Sequence, residues 1–241
     1  MGLGKTPTIL ARMGVAPGET PSLVIAPPAV VGNWAAEAKR FTPNVKVLVH
    51  HGPNRANGPR LASALRSADL VITTYGTAVR DVDELARLEW DRVVLDEAQV
   101  IKNHRSTTAQ ELRKLNARAR LALTGTPIEN GLGDLWAILD FCNPGLVGGR
   151  TSFINQLNQI GDGDEAAESA LHALNGVLVF RRTKAEPLIA AELPDRIDEL
   201  AQCTMTPEQI GLYQAVLDKL VRDTAESEQN TSQQKGLVLA A

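Results

Sequence analysis

Three groups of residues in this sequence are candidates for phosphate chemistry by their types and spacing, and the first is Gly-x-Gly-Lys-Thr at positions 2–6. Glycines such as Gly2 and Gly4 let backbone N–H groups close around phosphate oxygens, and the N-terminus of a following helix favours negative charge. Lys5 is predicted to reach the β- and γ-phosphates of a nucleotide, and the hydroxyl of Thr6 to bind Mg²⁺. Alone, this group also fits a chance surface loop or an N-myristoylation signal.

The second group is Asp96-Glu97-Ala98-Gln99, which follows an apolar run at 93–95. Hydrolysis of a phosphate needs one carboxylate to hold Mg²⁺ and a second group to orient water. Asp96 is predicted to be the metal ligand, and Glu97 to position or deprotonate the attacking water. An isolated Asp-Glu pair is more often a solvated turn. Its place after an apolar strand, in a chain that opens with Gly-Lys-Thr, favours the catalytic interpretation.

The third group is Thr124-Gly125-Thr126-Pro127, which follows the next apolar run along the chain. Short hydroxyl side chains at a strand end can link a bound nucleotide to a neighbouring surface through hydrogen bonds. A simple turn with hydroxyl capping explains the same residues. Taken alone, this group does not decide between the two interpretations.

The elements that must position these groups are short apolar runs separated by helical patterns. The runs are continuous rather than alternating, as expected for strands covered on both faces. They lie at 23–26, 45–49, 70–72, 93–95 and 121–123. Between the runs, apolar residues recur at helical spacing, so that each of three sets shares one face of a helix. The sets are Trp34 with Ala38 and Phe41, Leu61 with Leu65, and Leu112 with Leu115. The pattern predicts an α/β fold with a parallel sheet and helices on both faces.

Polar and turn-forming residues follow each of these runs. They include Pro27-Pro28, His50-His51-Gly52 and Thr73-Thr74-Tyr75, besides the second and third groups above. In open α/β sheets, ligands bind at the carboxyl ends of the strands. We therefore expect the second and third groups to stand at that edge of the sheet, where a ligand would bind.

Composition restricts the classes of partner and compartment. The 241 residues carry a formal net charge of −3, so any nucleic-acid surface must be local. Cys142 and Cys203 are too few for a disulfide framework or a metal cluster, which fits a reducing cytosol or nucleus. No secretory signal or apolar run of membrane-spanning length is present.

Beyond the predicted sheet the pattern is mainly helical. An amphipathic helix is predicted over 134–141 and another over 207–222, with a possible strand over 199–204 between them. An acidic loop lies at 161–168. An apolar stretch at 171–180 ends in the basic group Arg181-Arg182-Thr183-Lys184.

With these motifs in order, the chain resembles the Swi/Snf-type family of helicase-like, superfamily-two, DNA-translocating ATPases. The residues that carry the resemblance lie at 26–34, 50–52, 72–76, 95–103 (LDEAQVIKN), 121–130 (LALTGTPIEN), 135–148, 179–184 (VFRRTK) and 193–213. The resemblance covers nearly the whole chain. It implies a P-loop, RecA-like lobe over 1–140, a helical extension over 141–190 that ends in the basic cluster, and a connector over 191–241 that starts a second lobe.

The resemblance also implies ATP and Mg²⁺ as cofactors and double-stranded DNA, held through its phosphate backbone, as partner. The phosphate and metal roles fall on Lys5, Thr6, Asp96 and Glu97, as the residues themselves suggest. Gln99 would sense which nucleotide is bound, while Thr124 and Thr126 would couple ATP hydrolysis to the binding of DNA. The implied DNA contacts are Pro27, Thr73, Thr74, Lys102 and Asn103. The basic residues Arg181, Arg182 and Lys184 would contact DNA or hold two lobes together. The alternative is that they form a solvated helix end without a functional role.

This sequence departs from the family pattern at three places. Ala29 stands where the family often has a small hydroxyl residue, which removes one side-chain phosphate contact. Met1 falls inside the phosphate loop, and the chain stops in a block that the family continues after 236–240. The resemblance therefore implies a first lobe truncated at both ends, without the second RecA-like lobe, and with negligible ATP hydrolysis by itself.

The sequence leaves room for two other functions. The chain could be a non-catalytic remnant or an interaction module that uses the helical region after Phe141 and the basic cluster. A small-molecule P-loop kinase is poorly supported, because it explains neither Ile101-Lys102-Asn103 nor Thr-Gly-Thr-Pro. The expected location is a bacterial cytoplasm, associated with the nucleoid, or a nucleus in a eukaryote.

Overall fold

The computed structural model describes residues 3–125, 132–158, 173–174, 176–180, 182 and 204–226. The chain divides into two compact units, residues 1–190 and 191–241. Several predicted features lie outside the described residues: Gly2, Thr126, Arg181, Lys184, the acidic loop and nearly all of the strand predicted over 199–204. The three-part division at 140 and 190 stays a prediction.

A five-stranded sheet forms the centre of the first unit, and all its strand pairs are parallel. Its strands are β1 (Ser22–Ala26), β2 (Val47–His50), β3 (Leu70–Thr74), β4 (Glu89–Asp96) and β5 (Asn116–Leu123). They lie in the order β2-β3-β1-β4-β5. Four of the predicted apolar runs fall within these strands, and the run at 45–49 overlaps β2 from Val47 onward. The predicted α/β fold is confirmed.

Two of the strands begin well before the apolar runs that predict them. In β4, Asp91 and Arg92 are buried and form an ion pair with an N–O distance of 2.6 Å. In β5, Arg118 pairs with the same aspartate, and Arg120 donates to the carbonyl of Leu115. Charged side chains enter the strands because ion pairs and hydrogen bonds to backbone carbonyls satisfy them. A local pattern of apolar residues does not reveal such partners.

Alternate residues of the central strand β1 face two separate cores. Leu23 and Ile25 belong to one core and Val24 and Ala26 to the other, as the two-residue repeat of a strand requires. The second core is covered by α1 (Lys5–Val15) and α2 (Val31–Phe41), and the first by helices that follow later in the chain. Helices thus cover both faces of the sheet.

The helices on the first face are α3 (Gly58–Ser67), α4 (Tyr75–Arg80), α5 (Val82–Leu85), α6 (Thr107–Leu112) and α7 (Leu132–Cys142). The side chain of Ser106 caps α6 by accepting from the N–H of Ala109, an arrangement that satisfies one free donor of the first turn. The paired leucines predicted on α3 and near α6 are buried. Phe41, which helical spacing places on the face of Trp34 and Ala38, is 47% exposed, and the guanidinium of Arg40 lies over its ring.

The helical region after the sheet begins with α7, which confirms the helix predicted over 134–141. It packs against α8 (Arg150–Asn158), and Leu135, Leu139 and Phe153 form a small core of their own. In the second unit, α9 (Pro207–Glu226) confirms the helix predicted over 207–222 and extends beyond it. Within the described part of the chain, no helix is long and apolar enough to cross a membrane.

Candidate functional site

The phosphate loop ends in the first turn of α1. Gly4 is the N-cap of this helix, with φ +76°, a left-handed conformation that glycine adopts at little cost. Its carbonyl accepts hydrogen bonds from the N–H and the hydroxyl of Thr8, at 3.1 and 2.8 Å. Lys5 and Thr6 follow it and are half-buried. The structure therefore places both predicted phosphate and metal residues at a helix N-terminus, where backbone N–H groups favour anions.

The carboxylate pair stands at the carboxyl end of β4. Asp96 is buried, and its Oδ1 accepts the N–H of Glu97 at 3.0 Å. Glu97 has φ 52° and ψ 55°, and among the described residues it alone combines a side chain with a positive φ. Such a backbone conformation is unfavourable for a residue other than glycine and is concentrated at functional sites. It turns the chain sharply between the two carboxylates.

Four predicted site residues form one hydrogen-bonded chain. Lys5 Nζ lies 3.4 Å from Glu97 Oε1, and both side chains are only partly exposed. The second carboxylate oxygen of Glu97 accepts from Gln99 Nε2 at 2.8 Å. Gln99 Oε1 in turn accepts the hydroxyl of Thr124 at 2.9 Å. The structure thus brings together the phosphate loop, the end of β4 and the end of β5.

Two aromatic residues from opposite faces of the sheet hold the Asp96–Glu97 segment, one through a carboxylate and one through a backbone carbonyl. The indole Nε1 of Trp34 donates to Asp96 Oδ2 at 2.8 Å, and the hydroxyl of Tyr75 donates to the Asp96 carbonyl at 2.8 Å. Burial raises the pKa of Tyr75, and the charges of Asp96 and Glu97 raise it further, so the phenol remains a donor. Sequence reasoning assigned neither residue to the site. One general rule could have pointed to them: a tryptophan or tyrosine that is buried needs a hydrogen-bond partner for its indole or phenol group.

Two of the predicted DNA contacts are directed inward. The hydroxyl of Thr73 donates to the carbonyl of His50 at 2.7 Å, and that of Thr74 caps α4 by accepting the N–H of Thr77. Both threonines are buried. Direct contact of their side chains with DNA does not fit this arrangement, because both hydroxyls are used to shape the ends of β3 and α4.

The other predicted contacts lie nearer the surface. Pro27 is half-buried and precedes the 3₁₀ turn Pro28–Val30 that leads into α2. Lys102 is half-buried, and Asn103 is exposed, with its Oδ1 accepting the N–H of Arg105 at 3.1 Å. These residues belong to turns at the carboxyl edge of β1 and after β4.

A charge cluster holds the loop after β2. His50 Nε2 and Asp81 Oδ2 are 2.7 Å apart, and Arg55 binds the same carboxylate with two nitrogens at 2.7 and 3.0 Å. The Arg55 hydrogen bond is the main cause that keeps the pKa of Asp81 below its usual range. The cluster fixes the His50-His51-Gly52 landmark to the end of α4.

Of the predicted basic cluster, the structure describes Arg182. Its Nη1 donates to the carbonyl of Leu3 at 3.3 Å, and its guanidinium lies 5.7 Å from the ring centre of Phe180. A Cβ added to Gly4 would lie 3.7 Å from the same Nη1. The structure therefore places this arginine beside the phosphate loop.

The geometry resembles a nucleotide site, and comparison with known proteins identifies the family. The family model of the SNF2-related domain matches residues 1–240. The chain belongs to the SNF2-related family. It is 37% identical over 248 residues to YwqA of Bacillus subtilis (strain 168), covering 100% of this chain and 26% of that protein. It is 34% identical over 227 residues to the ISWI chromatin-remodeling complex ATPase ISW2 of Saccharomyces cerevisiae, covering 91% of this chain and 20% of ISW2.

A solved structure shares the fold of this SNF2-related chain. The SWI2/SNF2 ATPase core of Sulfolobus solfataricus, solved in complex with double-stranded DNA, has 36% sequence identity and a TM-score of 0.67. The match covers 100% of this chain and 50% of the archaeal chain. The SNF2-related chain therefore spans about a quarter of YwqA and half of the solved core. The predicted family and the RecA-like fold are confirmed.

Family membership implies the use of ATP, and the residues present fit a nucleotide accompanied by Mg²⁺. Asp96 and Thr6 supply oxygen donors, which Mg²⁺ prefers. In the residues that the structure describes, no group of three or more His, Cys, Asp or Glu side chains could hold a metal ion. Mg²⁺ suits such a sparse site, because it is held by one or two carboxylates together with substrate phosphates and water.

Proposed function

We propose that this chain is the ATP-binding first lobe of an ATPase that translocates along double-stranded DNA. The observation that carries the proposal is the hydrogen-bonded chain from Lys5 through Glu97 and Gln99 to Thr124. It joins a phosphate-binding cation, a carboxylate able to orient water and the end of a neighbouring strand. Relatives include chromatin-remodeling ATPases, and the solved core was bound to DNA.

The hydrolytic roles follow from the chemistry of each side chain. Lys5 would bind the β- and γ-phosphates of ATP, with the backbone around Gly4 completing the cradle. Glu97 would orient the attacking water, since Lys5 and Gln99 fix its two carboxylate oxygens. Asp96 and Thr6 would hold Mg²⁺. When bound there, Mg²⁺ would neutralise the charge that develops on the phosphate oxygens.

The coupling roles follow from the position of Gln99. Its amide bonds Glu97 on one side and Thr124 on the other. A change in the position of Glu97 would therefore reach the end of β5 through two hydrogen bonds. We assign the sensing of the nucleotide state to Gln99, and the transmission of that state to Thr124 and Thr126.

DNA would be held through its phosphate backbone, without choice of sequence. The proposed contacts are the turn that begins at Pro27, the surface residues Lys102 and Asn103, and the basic cluster at Arg181, Arg182 and Lys184. Thr73 and Thr74 would act indirectly, by shaping the strand end beneath that surface. A second RecA-like lobe would close over the nucleotide. The location would be a bacterial cytoplasm, or a nucleus in a eukaryote.

The proposal is tested by measuring ATP hydrolysis in the intact protein, with and without double-stranded DNA. We expect DNA of any sequence to stimulate turnover, and the stimulation to fall as salt rises, because phosphate contacts release counterions. ATP hydrolysis that double-stranded DNA does not stimulate would contradict the proposal. Lys5→Ala is the background control, since it removes the proposed phosphate ligand.

A further inference from the structure

The contact between Trp34 and Asp96 joins two segments whose roles differ. Trp34 lies in the first turn of α2 and is 1% exposed. Its Nε1 donates to Asp96 Oδ2 at 2.8 Å, across 62 residues of sequence. Helix α2 begins directly after the turn at Pro28–Val30, which belongs to the segment assigned above to DNA. One side chain therefore connects the proposed DNA side to the proposed metal carboxylate.

The hydrogen bonds of Asp96 define how its carboxylate is oriented. Oδ1 accepts the N–H of Glu97 at 3.0 Å, and Oδ2 accepts the indole of Trp34 at 2.8 Å. An indole N–H is a donor only, so it fixes a carboxylate without competing as a metal ligand. Each oxygen keeps a second lone pair, because a carboxylate has about four acceptor positions. Two donors on different oxygens restrict rotation of the carboxylate plane.

We propose that Trp34 is a positioning residue, which orients the Asp96 carboxylate for Mg²⁺ and ties that orientation to the turn before α2. The inference rests on the proposed function, because it assigns to Asp96 the role of metal ligand. A movement of the Pro28–Val30 turn is passed through the indole to the carboxylate. Trp34 thereby couples the surface assigned to DNA with the metal site, independently of the Gln99–Thr124 connection.

A second buried tryptophan, Trp90, separates the role proposed for Trp34 from the general effect of a buried indole. Trp90 is also fully buried, and its Nε1 donates to the carbonyl of Leu85 at 2.9 Å. It lies near the start of β4, six residues before Asp96, which is about 20 Å along an extended strand. Trp90→Phe therefore removes a buried indole and its hydrogen bond far from the site. It controls for the general cost of the same substitution.

The measurement that tests this proposal is the gain in nucleotide affinity that Mg²⁺ provides, which is the ratio of the Kd in EDTA to the Kd in Mg²⁺. In the intact protein, the Kd of a fluorescent, slowly hydrolysed ATP analogue is measured in EDTA and in Mg²⁺. For Trp34→Phe we expect the gain to fall about tenfold, a typical effect of losing a partner of a metal ligand. The Kd in EDTA should stay close to the wild-type value, since the phosphate loop is intact. Trp90→Phe should keep the wild-type gain.

A second variant covers the possibility that Trp34→Phe does not fold. Replacement of Trp34 by 3-benzothienylalanine keeps the bicyclic shape and substitutes sulfur for the N–H group. The same loss of the Mg²⁺ gain supports the proposal. A gain equal to that of the wild type, in either folded variant, overturns it while the proposed function stands. A wild-type protein that binds the analogue without any Mg²⁺ gain overturns the proposed function, and this inference with it.

Discussion

Lys5 Nζ lies 3.4 Å from Glu97 Oε1, although 92 residues separate the two in sequence. The contact joins the cation of the phosphate loop to the carboxylate that we assign to the attacking water. Gln99 bonds the other oxygen of that carboxylate, so Glu97 is held from two sides. The position of the Glu97 carboxylate is therefore set by the phosphate loop as well as by its own strand.

The first prediction concerns this pair. Glu97→Gln keeps the shape of the side chain but removes its charge and its basicity. We expect kcat for DNA-stimulated ATP hydrolysis to fall by at least about 10²-fold, the usual contribution of a positioned base. Lys5→Ala should also abolish turnover, with weakened nucleotide binding, because it removes the phosphate ligand.

A matched control is Glu111→Gln. Glu111 accepts from Lys114 on the surface of α6, so the substitution breaks a lysine–glutamate pair of the same kind outside the site. The kcat of Glu111→Gln should equal that of the wild type, since exposed ion pairs contribute little to stability. Retained turnover in both Lys5→Ala and Glu97→Gln would refute the assigned roles.

The second prediction concerns coupling through Thr124. Thr124→Val removes the hydroxyl that donates to Gln99 Oε1 at 2.9 Å. We expect DNA stimulation of ATP hydrolysis to fall about 2- to 10-fold, the range expected for one hydrogen bond, with ATP affinity unchanged. The measurement is turnover at increasing DNA concentration. Thr42→Val, which loses a hydroxyl contact with the carbonyl of Ala38 at the end of α2, should leave stimulation intact.

The third prediction concerns Tyr75. Tyr75→Phe removes the hydroxyl that donates to the Asp96 carbonyl, next to the left-handed backbone of Glu97. We expect kcat to fall about tenfold and stability to fall by about 1 to 3 kcal/mol, because a buried carbonyl loses its donor. Kd for the nucleotide should not change. Tyr213→Phe, at an exposed position of α9, is the control. A parallel change of Kd and kcat in Tyr75→Phe would contradict the role of Tyr75 in placing Glu97.

The fourth prediction concerns acid stability. The hydrogen bond from Arg55 lowers the pKa of Asp81 in the folded protein, and a smaller contribution comes from His50. The unfolded chain then binds the proton at higher pH than the folded one. The resulting stability is fully present above the unfolded-state pKa of about 3.9 and is lost as pH falls through the lower folded-state pKa.

Arg55→Gln should reduce this contribution, so that Tm at neutral pH falls and varies less with pH in the acid range. The measurement is Tm between about pH 7 and pH 2 for the variant and the wild type. Arg60→Gln, an exposed arginine on α3, serves as the control. Parallel Tm curves for Arg55→Gln and the wild type would show that the pair does not govern acid stability.

Much of the fold and of the site could be predicted from local signals. Continuous apolar runs identified all five strands, because strands covered on both faces need aliphatic side chains on both sides. The groups at Asp96-Glu97 and Thr124 were expected at one sheet edge, since the carboxyl ends of parallel strands meet there. The hydrogen bonds through Gln99 are consistent with that expectation, and the contact between Lys5 and Glu97 adds the phosphate loop to the same edge.

What the sequence by itself determined was the type of each group and, for the groups after β4 and β5, the edge of the sheet at which they stand, because short-range spacing and strand patterns encode both. Only the tertiary structure decided which donors reach the carboxylates. Trp34 meets Asp96 across 62 residues, and Thr73, expected at the DNA surface, turns inward to the carbonyl of His50. Such contacts depend on how helices pack on a twisted sheet, so no local pattern of residues specifies them.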